Sequence, residues 1–173
     1  MAGIESYAVY VPIGRLERAT IGKTLGTPRK RGARPVASYD EDSTTLAVAA
    51  VRRAVGTTSN VDGSLWFATS RPAYLEKSNA ATVAIAGGLP EECAAHDVGG
   101  ALRGGVGALR AGLAEGNAVV VSADLRYGLP GSADELEGAD ASAGFVVGPD
   151  AVAELVANVS ITRELLERWR EPG

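Results

Sequence analysis

Residues 117–124, NAVVVSAD, are apolar at almost every position and lack the alternation of a strand with one wet face. A strand of this kind is covered by protein on both sides. The chain must therefore supply helices to both faces of a sheet, and its pattern does so. GIESYAVYVP (3–12), SLWFAT (64–69) and CAAHDV (93–98) read as strands. RLERATIGKTLG (15–26) reads as a short helix stopped at Gly26, and KSNAATVAIAGGL (77–89) as a small-residue helix ended by Gly87 and Gly88. SYDEDSTTLAVAAVRRAV (38–55) is the clearest helix. Acidic residues and Ser43 at its start suit the dipole and cap free N–H groups, and Arg52 and Arg53 stand near its end. Residues 101–115 read as a buried helix. ASAGFVVG (141–148) and VAELVANVS (152–160) read as a closing pair of strands, reached through a long polar loop at 125–140. This alternation predicts an α/β fold: a mixed, mostly parallel five-stranded sheet, helices on both faces, right-handed crossovers and an antiparallel finish. Residues 1–160 are expected to form one domain, with 161–173 as an amphipathic helical tail.

A length of 173 residues fits a single domain. Aromatic residues make up only 5 % and there are 22 glycines, so the core must rely on closely apposed helices and strands. A net charge of −4 argues against nucleic-acid binding. No run of 18 apolar residues and no signal-peptide pattern is present, which predicts a soluble, cytoplasmic protein without a membrane segment. One Cys and one His exclude an internal disulfide and argue against a metal site.

The stretch HDVGGALRGGVGALRAGLAEG (96–116) reads as a short strand, a glycine turn and a helix. Such a turn points one side chain, at a helix N-terminus, into a pocket. The residue there is Leu102, which cannot act as a nucleophile. Two readings stand for this segment. Gly104, Gly105 and Gly107 let the helix pack closely, or the backbone N–H groups near Leu102 form an oxyanion or anion site. Arg103 is either a solvated or interface side chain or a partner for a carboxylate or phosphate. The basic loop TPRKRGARP (27–35) carries Arg29, Lys30, Arg31 and Arg34, either as solvated charges or as a seat for phosphates, which suit arginine geometry. Cys93 and His96 fit structural roles; His96 shows no visible partner as a general base. Tyr74 and Tyr127 are the loop hydroxyls that qualify as acids, with packing as the plainer role. Asp40, Glu41 and Asp42 fit helix-start chemistry and not a metal site.

Four stretches in order, VASYDEDSTTLAVAAVRRAV, FATSRPAYLEKSNAATV, HDVGGALRGGVGALRAG and SADLRYGLPGSADELEGADASAGFVVG, resemble the thiolase superfamily. The resemblance is to the N-terminal half of 3-hydroxy-3-methylglutaryl-CoA synthase and, more distantly, to ketoacyl-acyl carrier protein synthase type III. It implies a thiolase-like half-fold, since that family stacks two similar α/β halves into five layers and keeps its catalytic His and its Asn or His partner in the second. It also implies that the family's nucleophilic Cys maps onto Leu102. The acid/base Glu falls in the loop at Ser70–Pro72, which has no carboxylate, while Glu76 matches a different acidic residue. The ligand so implied is a coenzyme A thioester, with Arg29, Arg31, Arg34 and Arg103 as phosphate contacts.

Three functions follow from the resemblance. The chain is a cysteine-free acyltransferase- or aldolase-type CoA-handling protein, or a non-catalytic subunit, or the N-terminal part of a longer synthase-like enzyme. The implied partners are a second copy in a homodimer, a separate thiolase-like half, or a zinc-ribbon/OB-fold subunit.

Overall fold

The computed structural model describes residues 2–26, 31–57, 61–100 and 103–163. Its main sheet is built from β1 (Gly3–Tyr10), β4 (Ser64–Thr69), β5 (Ala95–Gly99), β6 (Ala118–Asp124), β7 (Ala141–Gly148) and β8 (Ala153–Glu154), in the order β5-β4-β6-β7-β1-β8. The helices are α1 (Arg18–Leu25), α2 (Ser43–Val55), α3 (Asn79–Gly87), α4 (Gly104–Glu115) and α5 (Ala133–Glu137). β2 (Arg15–Glu17) and β3 (Ala33–Pro35) pair separately as an antiparallel ribbon.

The mixed α/β sheet is the one expected, with a sixth strand at its edge. β4 pairs in parallel with both β5 and β6, while β7, β1 and β8 join antiparallel. The antiparallel part therefore extends beyond a closing pair, because β1 inserts between β7 and β8. Of the expected strand 152–160, only Ala153–Glu154 pairs; the exposed residues after it have no neighbouring strand. The expected helix at 15–26 begins at Arg18, since Arg15–Glu17 find strand partners in β3. Its stop is as read: Gly26 takes φ 66, the left-handed region that a Cβ disfavours. The expected helical tail lies, from residue 164 on, outside the described residues.

β6 is covered on both faces, as its composition requires. Val119 and Val121 join Leu46, Val51, Leu65, Phe67 and Val83 in the core beneath α2 and α3. Val120 faces the other way, into a smaller cluster with Ala68, Ala108 and Val147 beneath α4. Small residues set the spacing. A Cβ on Gly144 would lie 3.2 Å from the backbone carbonyl of Ala50 on α2, and one on Gly112 of α4 would come within 2.6 Å of Val120 Cγ2. The helix at 101–115, expected to be buried, is half open instead. Among its described residues only Ala108 and Gly112 are buried, because α4 presses one stripe onto the sheet and no described element covers the other.

The N-terminus of α2 is capped by Asp42 and not Ser43. Asp42 Oδ1 accepts the Thr45 amide at 2.7 Å, and Thr45 Oγ1 accepts the Asp42 amide at 2.7 Å, a reciprocal capping box. Ser43 is buried and donates to the Arg71 carbonyl at 2.7 Å.

Two substitutions test this packing by denaturant unfolding. Asp42→Ala removes the cap and lowers stability by about 1 kcal/mol. Gly144→Val drives side-chain atoms into the α2 backbone and costs about 1–3 kcal/mol; an unchanged midpoint would show that α2 does not approach β7 this closely.

Candidate functional site

The connection from β4 to β5 runs through α3, and that from β5 to β6 runs through α4 back across β4. The two helices lie on opposite faces of the sheet, as the separate clusters beneath them show. Loops leaving the carboxyl ends of β4 and β5 therefore part, and a crevice opens between them; in open α/β sheets this is where ligands bind. A cavity of about 320 Å3 occupies that position, lined by Thr69 at the end of β4, by Val98 and Gly99 at the end of β5, and by Tyr74, Glu76 and Lys77 of the connecting loop.

Polar side chains hold the loop in place. Asn79, at the start of α3 and 3 % exposed, donates from Nδ2 to the Tyr74 carbonyl and accepts the Tyr74 amide at Oδ1, both at 2.9 Å. Asp97 accepts the Ala80 amide at 2.9 Å and the Ser78 hydroxyl at 2.8 Å, so its carboxylate is spent on the N-terminus of α3. Asp124, at the end of β6, accepts at one oxygen the Ser70 amide (2.7 Å), the Ser70 hydroxyl (2.9 Å) and the Thr69 hydroxyl (3.1 Å). It ties together the ends of two neighbouring parallel strands. The Lys77 ammonium stands 4.8 Å from the centroid of the Tyr74 ring.

A second cavity, of about 280 Å3, adjoins the first and shares Pro72 with it. Asp42, Ser43, Arg71, Leu125 and Tyr127 contribute to its wall. The Arg71 guanidinium lies over the Tyr127 ring at 5.4 Å. The mouth of the cleft thus offers two cations, two tyrosines and the carboxylate of Glu76, all on exposed loop positions.

The residues singled out from the sequence fall in different places. Tyr74 and Glu76 line the first cavity and Tyr127 the second. Arg103 is exposed at the start of α4, where its carbonyl accepts the amides of Val106 and Gly107. Arg31 is exposed. Arg29, Lys30 and Leu102 lie outside the described residues.

Arg34 is a correction. It is buried, and its guanidinium donates to the carbonyls of Glu135 (2.7 Å), Arg126 (2.7 Å) and Asp134 (3.3 Å) and pairs with Asp140. Turned inward onto main-chain acceptors, it does not reach out to a ligand phosphate.

His96 is exposed and stacks on Trp66 with ring centroids 4.3 Å apart; neither of the two cavities includes it. Burial pushes the half-buried Cys93 thiol up from its ordinary value, the opposite of an activated thiolate. Asn79 and Asp124 were missed in the sequence. Asn79 follows a Ser just ahead of a small-residue helix, and Asp124 ends the buried strand, so both carried a positional signal. Among the described residues no group of His, Cys, Asp and Glu is placed to hold a metal, and no helix is long and apolar enough to cross a membrane.

No protein-family profile matches the chain. Individual proteins do. It is 31 % identical to a hydroxymethylglutaryl-CoA synthase of Methanocella arvoryzae over 99 % of its own length and 54 % of that protein. Against the hydroxymethylglutaryl-CoA synthase of Aeropyrum pernix the identity is 30 %, over 93 % of this chain and 49 % of the other. The chain thus spans about half the length of the curated relatives it matches. Among solved structures, MvaS in complex with 3-hydroxy-3-methylglutaryl coenzyme A superposes with a TM-score of 0.76 at 26 % identity, over 86 % of this chain and 40 % of that one. The 3-oxoacyl-(acyl carrier protein) synthase III of Pseudomonas aeruginosa shares the fold with a TM-score of 0.76 at 21 % identity, over 90 % and 54 %. In sequence along nearly its whole length, and in fold, the chain is a thiolase-like protein that resembles the N-terminal half of hydroxymethylglutaryl-CoA synthase.

Proposed function

We propose that this chain binds a coenzyme A thioester as one half of a thiolase-like assembly that forms or cleaves a carbon–carbon bond. The observation that carries the reading is the cleft outside the carboxyl ends of β4 and β5, lined at the end of β5 by Val98 and Gly99, in a chain similar to hydroxymethylglutaryl-CoA synthases. The ligand would enter between the two cavities that meet at Pro72, with Lys77 and Arg71 beside it. Arg31, Arg103 and Arg29 are the phosphate contacts that remain once Arg34 is turned inward. Leu102 stands where the related enzymes are expected to carry their nucleophile, so acyl transfer through a cysteine at that position is not part of the proposal. The chemistry is of acyltransferase or aldolase type, completed by residues from elsewhere.

A second reading, a structural or regulatory subunit, is favoured by the open side of the sheet. Val106 of α4 is 55 % exposed, and Tyr7 and Val9 of β1 are 69 % and 58 % exposed. Exposed apolar side chains of this kind mark a surface that another protein covers. A second copy, a separate thiolase-like half or a zinc-ribbon/OB-fold subunit are the occupants we propose, and a second copy is the simplest. The remaining reading, an N-terminal part of a longer synthase, places the covering half on the same polypeptide.

Calorimetric titration with CoA and acetyl-CoA tests the first reading. Saturable heat is expected, Arg103→Ala should weaken binding by up to about fivefold as for an exposed charge contact, and Cys93→Ser should leave it unchanged. Absence of saturable heat with either compound overturns CoA binding. Light scattering tests the second: a dimer that Val106→Asp dissociates is expected, and a compact monomer rules out self-completion.

A further inference from the structure

One wall of the second cavity is fastened by a buried ion pair that lies outside it. Arg34 is 5 % exposed and Asp140 3 %. Asp140 Oδ1 accepts the Arg126 amide at 2.7 Å, and Oδ2 accepts the Ala37 amide at 2.8 Å. Arg34 Nη2 donates to the Arg126 carbonyl at 2.7 Å and stands 3.5 Å from Asp140 Oδ1. Both main-chain polar groups of Arg126 are thus held by the same pair, and its two chain neighbours, Leu125 and Tyr127, line the cavity. Arg34 Nη1 meanwhile reaches the carbonyls of Glu135 and Asp134 at the other end of the loop. Arg18 holds that far end as well, donating from Nε to the Leu136 carbonyl at 2.9 Å, while its Nη1 donates to the Ala33 carbonyl of β3 at 3.1 Å.

Stability alone is a poor account of this arrangement. A buried ion pair gains little over an apolar pair of similar volume, because both charges leave water. Here Arg34 Nε is also buried without a partner among the described residues, which adds to the cost. What the pair does supply is direction: a planar guanidinium fork addresses several acceptors at fixed angles, and a lysine point charge cannot.

The geometry points to Arg34 and Asp140 as positioning residues for the ligand cavity, fixing Arg126 and through it the Leu125–Tyr127 wall. The link to affinity rests on the CoA-thioester reading above; the link to wall geometry does not.

Arg34→Lys and Asp140→Asn test both, with Arg18→Lys as a control that loosens the loop away from Arg126. In protein carrying 3-fluorotyrosine, the fluorine resonance of Tyr127, assigned through Tyr127→Phe, is expected to broaden or split in the first two variants. It should stay as in the parent in Arg18→Lys, with the Tyr7 and Tyr39 resonances unmoved throughout. Hydrogen exchange should quicken over residues 125–137 while β4 and β6 keep their protection. CoA affinity should fall by about tenfold, the scale expected when binding groups are displaced by a fraction of an ångström, and by less than about twofold in Arg18→Lys. An unchanged Tyr127 resonance in either soluble, folded variant overturns the positioning role. A changed resonance with unchanged CoA affinity overturns its effect on the ligand. If the parent protein binds no CoA, the ligand reading fails alone and the fluorine spectrum still decides the role of the pair. If Asp140→Asn does not fold, because the buried Arg34 charge has lost its counter-charge, Arg34→Lys, which keeps a positive charge beside Asp140, carries the test.

Discussion

Burial of β6 on both faces is the constraint from which the rest of the architecture follows. Val119 and Val121 need cover on one side and Val120 on the other, so α2 and α3 cannot share a face with α4. Right-handed connections that satisfy this must step in opposite directions along the sheet. The parting of loops beyond β4 and β5 is a by-product of that routing, and the cleft is where it is because the central strand has no wet side. The same requirement explains the small residues. Gly144 and Gly112 sit where a helix lies against the sheet with no room for a side chain, and a core poor in aromatic bulk gains its packing density from close approach.

The cleft itself is held in shape by polar groups bonded to its own connecting loop. Asn79, Asp97 and Asp124 spend their hydrogen-bonding capacity on the backbone and hydroxyls of the loop they anchor. The groups left facing outward, Lys77, Arg71 and the two tyrosines, stand on segments whose path is already fixed. Binding groups on a held backbone need less ordering when a ligand arrives.

Much of this was legible in the chain because it follows from local physics. Strand β4 and strand β7 appear with the boundaries their apolar runs suggest, and Gly26 stops α1 where a left-handed residue was called for. What was not legible depends on partners far away in sequence. Asp42 and Ser43 are both good caps, and only the burial of Ser43 against the 71 carbonyl decides between them. Residues 15–17 carry a helical pattern until an antiparallel partner at 33–35 claims them. Arg34 sits in a run of basic residues and reads as one more surface charge, yet its acceptors lie 92 to 106 positions further on. The exposure of α4 escaped for a related reason. Its composition is that of a helix enclosed on all sides, and composition reports the environment a helix suits, not which neighbours are at hand.

The way Arg34 grips the 125–140 segment has a consequence for how that segment tolerates change. Three of its contacts there are main-chain carbonyls, and carbonyls are supplied by every residue type. The outline of the loop is therefore written in the backbone and enforced from outside, while most of its side chains are left unconstrained by the clamp. Such a segment is free to exchange residues at its rim without losing its shape, and so to alter what the adjoining cavity accepts while the fold beneath it stays the same.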